Sequence, residues 1–249
     1  MKNSPTLLFG THAIREAILG GANNISKIWL KSGVRHAGHQ RLITLAKKHA
    51  IPYSKVPLAK LHRLTKGKHQ GAIAFCAPIV FSSLPPIIAA TYEAGKAPLV
   101  LLLDQVQDVG NIGAIARTAL AAGVDALVVG TKNAAPIGGD AIKASAGALL
   151  SLPVCRVNDI VATLSLLKES GLQTIACTEK GAQSIYQTDF TGPTALLVGN
   201  EAKGIAPACL AMADQQAFIP MQGPIASLNV SVAAAVMLYE IVRTHQKTN

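Results

Sequence analysis

Long hydrophobic runs are missing from this chain, and so is any closely spaced pair of cysteines. Half of the residues are hydrophobic, yet Leu99–Leu103 is among the longest runs, far short of the roughly 18–20 residues of a membrane-spanning helix. Residues 1–9 lack the apolar core of a signal peptide. The four cysteines are widely spaced, which predicts reduced core residues and no zinc or other metal site. We therefore expect a cytoplasmic protein without a membrane segment.

Acidic residues are scarce in the first part of the chain. Residues 1–98 hold 14 basic and 2 acidic residues, a balance of +12, whereas residues 99–249 hold 9 basic and 11 acidic residues, a balance of −2. The formal net charge of +10 therefore comes from the first part alone. A basic module joined to a nearly neutral one predicts that the first binds a polyanion on which the second acts. A basic surface that serves solubility alone is the alternative.

Aromatic residues make up only 4% of the chain, too few to predict a platform on which bases stack. The loop from Lys66 to Gly71 instead combines two lysines, a histidine, a glutamine and two glycines, so it can approach phosphates with backbone and side chains. We expect RNA to be bound here by shape and phosphate contacts. His62 and His69 are expected to be surface residues rather than catalysts.

The order of apolar and polar segments predicts an α/β fold with two domains. Residues 1–80 indicate a small α/β domain, residues 81–98 a linker with one short helix, and residues 99–249 a larger domain. Apolar strands without alternation are typical of a parallel sheet covered on both faces. The predicted helices of the two domains are Thr11–Leu19, with Thr11 as a cap, 41–49, a short helix within Lys55–Leu64, 112–122, 141–149, 160–170 and a long final helix capped by Ser227. The predicted strands are 25–30, 72–76, 99–103, 126–129, 172–177, 195–198 and 217–219, with further extended segments at Lys55 and Val154.

Three predicted strands end in polar, glycine-containing loops. With the strand ends that precede them, these stretches are Asp104–Thr118, which contains Asn111 and Arg117, Leu197–Ile205, which contains Glu201, and Phe218–Ser231. Ligands of parallel sheets bind beyond the carboxyl ends of the strands, so these loops are expected to meet at one pocket. Other site classes find little support: there is no Walker phosphate loop, the 110–113 segment has only half of a dinucleotide fingerprint, and no catalytic triad stands out because six of the seven histidines lie in the basic part.

Together the three loops resemble the SpoU (TrmH-like) RNA ribose 2′-O-methyltransferases. The similarity covers about 150 residues and includes Asn-x-Gly-x3-Arg-Thr from Asn111, Gly-Asn-Glu-x-x-Gly from Gly199, and Ile-Pro-Met followed by Ser-Leu-Asn-Val-Ser-Val-Ala from Ile219. Residues 9–13 and 69–71 look like the substrate-binding domain of the RlmB-type branch, which methylates a guanosine of 23S ribosomal RNA. Ala202 departs from the family, where glycine is usual.

The resemblance implies a parallel α/β domain with a deep trefoil knot and a homodimer with the final helix in its interface. It also implies that S-adenosylmethionine is bound by Gly199, Ile219 and Leu228, largely through backbone groups. The catalytic residues carried over from the family are Asn111, Arg117, Glu201, Ser227 and Asn229.

Each of these residues also has a structural alternative. Arg117 could form a salt bridge on a helix surface, and Glu201 could pair with Lys203 in solvent. Asn111, Ser227 and Asn229 could cap helices. In the functional interpretation Glu201 orients Arg117 or the target nucleotide, and Ser227 and Asn229 bond to cofactor or substrate. Asp104 and Asp108 are as compatible with turns as with catalysis.

The sequence therefore predicts an S-adenosylmethionine-dependent methyltransferase acting on a ribose 2′-hydroxyl of RNA, with a guanosine of large-subunit ribosomal RNA as the expected target. A transfer-RNA ribose methyltransferase is the alternative within the class. The alternatives of other classes are a non-catalytic RNA-binding or ribosome-assembly protein and a nucleotide-dependent oxidoreductase.

Overall fold

The computed structural model describes residues 6–20, 24–33, 37–65, 69–77 and 79–248. The chain divides into two units, one of residues 1–81 with 136–140 and the other of residues 82–135 and 141–249. In the described residues no helix is both long and apolar enough to span a bilayer.

The first unit is built around a four-stranded mixed sheet with the order β1-β4-β2-β3. One face is covered by the first two helices, whose Ile14, Ile18 and Leu42 pack on Ile28 and Leu30 of the sheet. The elements are β1 (Thr6–Phe9), α1 (Thr11–Leu19), β2 (Ile25–Lys31), α2 (Ala37–Lys48), β3 (Tyr53–Val56), α3 (Leu58–His62) and β4 (Ala72–Cys76).

From residue 82 onward the chain builds a seven-stranded sheet whose strand pairings are all parallel. Its order is β7-β6-β5-β10-β8-β11-β9, and β5 and β10 are buried along their whole length. This confirms the predicted parallel α/β class. The elements are α4 (Leu84–Glu93), β5 (Leu99–Leu103), α5 (Val109–Ala121), β6 (Ala126–Gly130), α6 (Gly139–Ala144), β7 (Val154–Val157), α7 (Ile160–Glu169), β8 (Gln173–Cys177), β9 (Gln183–Ser184), β10 (Thr194–Val198), α8 (Pro207–Met212), β11 (Gln215–Phe218) and α9 (Val230–Thr248).

The segment expected to be a linker contributes to the core of the second unit. Ser82 forms a parallel bridge with Cys155, donating its backbone N–H to the carbonyl of Val154 at 2.8 Å. In α4, Leu84 and Ile88 are buried in the apolar cluster that contains Val100. The helix of this segment is therefore packed against the sheet.

Several predicted helix ends differ from the structure. Gly10, with φ 87°, is the N-cap of α1, and Thr11 makes no capping bond. The predicted 141–149 helix is split into α6 and a 3-10 turn at Ala148–Leu150, because Gly147 is in the left-handed conformation between them. The final helix begins at Val230, three residues after Ser227, so Ser227 is not its cap.

His69 contradicts the surface expectation, since it is 5% exposed. Its Nδ1 accepts the backbone N–H of Gly71 at 3.0 Å, and its ring meets that of the exposed His62 edge to face. Burial, followed by the charge of His62, lowers the pKa of His69. Of the predicted phosphate-binding loop, Lys66, Gly67 and Lys68 lie outside the described residues.

Candidate active site

A cavity of about 350 Å³ lies at the carboxyl edge of the parallel sheet. It is lined by the loops that follow β8, β10 and β11 and by the first turn of α9. These strands are neighbours in the order β10-β8-β11, and all run in one direction, so the loops after them meet at one edge. Of the predicted cofactor-binding residues, Gly199, Ile219 and Leu228 all line this cavity.

The loop after β10 is closed by its own hydrogen bonds. Asn200 and Gly204 exchange two backbone bonds of 2.9 Å, and Asn200 Oδ1 accepts the N–H groups of Ala202 at 2.9 Å and Lys203 at 3.0 Å. A Cβ on Gly199 would lie 2.4 Å from the backbone of Gly204 and Ile205, so only glycine fits there without moving the backbone. One wall of the cavity is therefore fixed in shape.

Asn111 joins the three predicted motifs through its side-chain amide. Its Nδ2 donates to Glu201 Oε1 at 2.7 Å, and its Oδ1 accepts from Asn229 Nδ2 at 3.1 Å. Its backbone N–H donates to Asp108 Oδ1 at 2.7 Å, which makes Asp108 the N-cap of α5. Asn111 is therefore not the helix cap, and its amide is free to connect the other two loops.

Arg117 lies on α5, six residues beyond Asn111, which places it about 9 Å along the helix and about 120° around its axis. Its side chain is exposed and does not line the cavity. Within the described residues it forms no ion pair or hydrogen bond, so it does not contact Glu201. The guanidinium is available to an outside anion.

The third loop places Ser227 on the cavity and Asn229 at the start of α9. Ser227 is exposed and makes no capping bond. Asn229 takes the capping position, because its Oδ1 accepts the backbone N–H of Ser231 at 2.9 Å and the Ser231 hydroxyl at 2.6 Å. Asn229 thus caps the helix with its oxygen while its Nδ2 bonds to Asn111.

The two aspartates after β5 have structural partners. Asp104 is 4% exposed, and its Oδ2 accepts the backbone N–H of Ala206 at 2.7 Å, which ties the first loop to the second. Asp108 caps α5. Both are therefore occupied by backbone contacts.

The loop after β8 lines the cavity and was missed by the sequence reasoning. It contributes Thr178, Glu179 and Lys180, and Cys177, the last residue of β8, lines the cavity beside them. The sequence does contain the pattern of the other site loops here, because an apolar strand is followed by this polar stretch and by Gly181. Burial, and then the charge of Glu179, raises the pKa of Cys177 to about 11, so its thiol stays protonated near neutral pH and is a poor nucleophile.

In parallel α/β domains, a cavity formed by loops at the carboxyl ends of the strands is the usual binding site for a small ligand, and many enzymes have this arrangement. Comparison with known proteins narrows this class. The sequence model of the SpoU rRNA Methylase family matches residues 98–239, and that described as RNA 2′-O ribose methyltransferase substrate binding matches residues 7–81. The chain belongs to the SpoU (TrmH-like) family of RNA methyltransferases, as the sequence motifs predicted.

Relatives support this assignment over the whole length of the chain. A Bacillus subtilis protein named as a TrmH family tRNA/rRNA methyltransferase, YacO, is 32% identical over 243 residues, covering 98% of this chain and 97% of its own. A Staphylococcus haemolyticus protein of the same family name is 33% identical over 242 residues, covering 95% of each chain.

Two solved structures share the fold. The SpoU methyltransferase AviRb of Streptomyces viridochromogenes, in complex with AdoMet, has a TM-score of 0.62 at 24% identity, covering 98% of this chain and 91% of its own. The TrmH/SpoU tRNA modifying enzyme of A. aeolicus has a TM-score of 0.56 at 32% identity, covering 61% of this chain and 77% of its own.

Proposed function

We propose that this protein transfers a methyl group from S-adenosylmethionine to a ribose 2′-hydroxyl of RNA, with a guanosine of large-subunit (23S) ribosomal RNA as the target. The observation that carries the proposal is the bond network in which Asn111 connects Glu201 and Asn229 beside the cavity. Each of these residues comes from a different family motif. A network of this kind fixes the relative positions of three loops that would otherwise move separately.

The cavity supports the cofactor assignment by its size and lining. A volume of about 350 Å³ falls in the range of small-molecule sites, about 300–1,000 Å³. Gly199, Ile219 and Leu228 offer backbone groups to a ligand there, and Lys180 and Lys203 can bind its carboxylate. S-adenosylmethionine supplies a methyl group on a sulfonium, which is a good leaving group.

The remaining difficulty is the nucleophile, because a ribose hydroxyl is a weak acid that must lose its proton as it attacks. Arg117 cannot serve as the base, since a guanidinium stays protonated in proteins. We assign it to the phosphate of the target nucleotide or to the developing alkoxide, which it stabilises by charge. The proton then passes to a phosphate oxygen, to water or to another group.

Glu201, Asn229 and Ser227 complete the proposed site. Glu201 is held by Asn111 and so acts on the position of the target nucleotide, because it has no contact with Arg117. Ser227 presents its hydroxyl to the cavity, and Asn229 links the third loop to Asn111. Asn111 itself is a positioning residue.

The first unit supports ribosomal RNA over transfer RNA as the substrate. The substrate-binding family model covers residues 7–81, where almost all of the excess positive charge lies. The A. aeolicus tRNA modifying enzyme, in contrast, matches only 61% of the chain, as does a structure concerned with 2-OH methylation of C/U34 on tRNA. Transfer RNA remains the second candidate, because the relatives are named as tRNA/rRNA methyltransferases.

Three further properties belong to the same proposal: a trefoil knot in the second unit, a cytoplasmic location with the RNA substrate, and a homodimer formed through α9. The homodimer is supported by Val232 and Tyr239, which are 47% and 53% exposed at positions i and i+7 of that helix.

The decisive experiment is methyl transfer from labelled S-adenosylmethionine to an unmodified transcript of large-subunit ribosomal RNA, with transfer RNA in parallel and mapping of the 2′-O-methyl position. Label at one ribosomal guanosine is the expected result. Label in transfer RNA would overturn the substrate, and binding of S-adenosylmethionine without transfer to either RNA would favour the non-catalytic alternative.

Arg117→Ala is expected to abolish transfer while the affinity for S-adenosylmethionine stays within about threefold, because Arg117 lies off the cavity. Removing one group that stabilises the charge of the transition state lowers the rate by about 10²–10³-fold. The measurement is kcat with saturating cofactor, beside equilibrium cofactor binding. Lys96→Ala, which removes another exposed cation, serves as the control. Full activity of the Arg117→Ala protein would remove the arginine from the mechanism.

A further inference from the structure

The second face of the sheet in the first unit carries an apolar cluster of its own. Helices α1 and α2 pack on one face, whereas the cluster on the other face includes Leu61 of α3, a helix of five residues. Trp29, Ile73 and Phe75 lie on this face. Trp29 is half-buried and is the only tryptophan of the chain. The face therefore presents part of an indole ring to solvent.

Two lysines lie against the aromatic rings of this face. Lys60 Nζ is 4.5 Å from the centroid of the Trp29 ring, and Lys27 Nζ is 4.6 Å from that of Phe75 and 5.2 Å from that of Trp29. The two rings meet edge to face with centroids 4.8 Å apart. Cation–π attraction therefore holds both ammonium groups over one pair of rings. We call Lys27, Trp29, Lys60 and Phe75 the lysine–tryptophan cluster.

The cluster carries two positive charges without a carboxylate. The first unit contains two acidic residues: Glu16 pairs with Arg15 at 2.6 Å, and Asp140 forms no ion pair among the described residues. In the described residues neither Lys27 nor Lys60 forms an ion pair. Burial, and then repulsion by Lys60, lowers the pKa of Lys27. An anion between the two ammonium groups would relieve this repulsion.

The surroundings extend the positive surface. Lys31 shares the side of β2 that carries Lys27 and Trp29, because alternate residues of a strand point to one face. Arg63 is exposed directly after α3, next to His62. A chain of phosphates suits such a surface better than a single small anion, because it can neutralise several of these cations at once.

Resting on the proposed function, we infer that the lysine–tryptophan cluster binds the phosphate backbone of the RNA substrate. Lys27 and Lys60 neutralise adjacent phosphates, while Trp29 and Phe75 hold their ammonium groups in place. Contacts of this kind position an RNA without reading its sequence. The cluster thus anchors the substrate, and recognition of the target nucleotide lies elsewhere.

The first test measures binding of the full chain to an unmodified transcript of large-subunit ribosomal RNA at several salt concentrations. Each lost phosphate contact lowers the slope of log affinity against log salt by about 0.7–0.9. We expect the double substitution Lys27→Ala and Lys60→Ala to lower affinity about tenfold or more and the slope by about 1.4–1.8. The KM for RNA should rise while kcat and cofactor affinity stay within about twofold.

The matched control is the double substitution Lys47→Ala and Lys48→Ala at the end of α2. It removes the same charge from a helix that covers the opposite face of the sheet. Lys60→Glu provides a second variant, because Lys60 is exposed on α3 and its replacement leaves the core intact. It should weaken binding more than Lys60→Ala, and Lys60→Arg should retain binding.

Trp29 supplies a readout located at the cluster. Because it is the only tryptophan, all tryptophan emission reports on this place. Titration with the transcript should change the emission saturably, with a midpoint that equals the dissociation constant measured by filter binding. The Lys47→Ala and Lys48→Ala protein should show the same change.

The inference is overturned if RNA binds without a change in Trp29 emission, or if the cluster variants bind like the matched control. Methyl transfer that persists in those cases would leave the proposed function intact. Saturable RNA binding at Trp29 without methyl transfer to any transcript would instead overturn the proposed function and support the cluster.

Discussion

At the scale of single residues, Asn111 has a task that few side chains can perform. Its amide donates to the Glu201 carboxylate and accepts from Asn229 at the same time. Aspartate has the same shape but no donor, and it would place a second carboxylate against Glu201. The network therefore depends on an amide at this position, and the stability of α5 does not, because Asp108 caps the helix.

Asn111→Asp is accordingly expected to lower methyl transfer more than Asn111→Ala, with both at least about tenfold below the unchanged protein. Like-charge repulsion displaces Glu201 in the first variant, whereas the second only removes its partner. Steady-state kinetics with RNA varied would show the loss, and cofactor affinity should change by less than about threefold. The control is Asn158→Ala, which removes a side-chain amide directly after β7. Equal activity of the two Asn111 variants would refute the role given to its amide.

At the scale of elements, the sequence predicts the positions of the strands better than the ends of the helices. It also predicts the polar loops after β5, β10 and β11, but not the loop after β8 that lines the cavity. The strand Leu99–Leu103 is predicted with its observed bounds. A run of five apolar residues between Pro98 and Asp104 is typical of a strand in a parallel sheet that is covered on both faces. The final helix is placed two residues early, since Ser227, Asn229 and Ser231 are all good caps and only the tertiary bond of Asn229 to Asn111 selects one.

Other elements gave weaker signals. Helix α8 begins with Pro207 and is too short to show a helical period. The loop after β8 was missed because its Thr178-Glu179-Lys180-Gly181 stretch looks like any turn, and its place at the cavity depends on the strand order, which local pattern does not reveal. The resemblance to a family supplied the residues of the proposed site, and the structure shows the hydrogen bonds that join Asn111, Glu201 and Asn229.

Helix α4 yields a prediction about where the second unit begins. A fragment of residues 82–249 should unfold cooperatively, whereas one of residues 98–249 should be much less stable, since it lacks the buried Leu84 and Ile88 of the core. Deleting one such side chain typically costs about 2–5 kcal/mol. Urea denaturation followed by circular dichroism would measure the difference. Equal midpoints for the two fragments would show that α4 adds nothing to the core.

At the scale of the whole molecule, charge and function are divided along the chain. The first unit holds the excess of positive charge and the second holds the cavity and its bond network. The second unit also carries an apolar stripe on α9, in which Val232 and Tyr239 are exposed and Val236 is half-buried. Helix α9 packs against α5. An exposed stripe of this kind is typical of a surface that pairs with a second copy of the chain.

Tyr239→Asp is therefore expected to shift the proposed dimer toward monomer, because a carboxylate replaces an exposed aromatic side chain of the stripe. Loss of such a contact costs about 2 kcal/mol or more, or about a 30-fold rise in the dissociation constant. Sedimentation equilibrium measures this constant. Tyr186→Asp, at a tyrosine that is 65% exposed outside α9, is the comparison. A monomeric unchanged protein, or a Tyr239→Asp protein as dimeric as the comparison, would exclude α9 as the interface.

The walls of the cavity differ in how firmly they are held, and this bears on the residence time of whatever binds there. The 199–205 loop is closed by its own hydrogen bonds and by the crowding at Gly199. Residues 219–228, which form the facing wall, make no backbone hydrogen bond to other described residues and are mostly exposed. Segments of this kind open at low free-energy cost. For the proposed cofactor site we therefore expect residues 219–228 to set how fast the cofactor and its product are exchanged, and the closed 199–205 loop to set how tightly they are held.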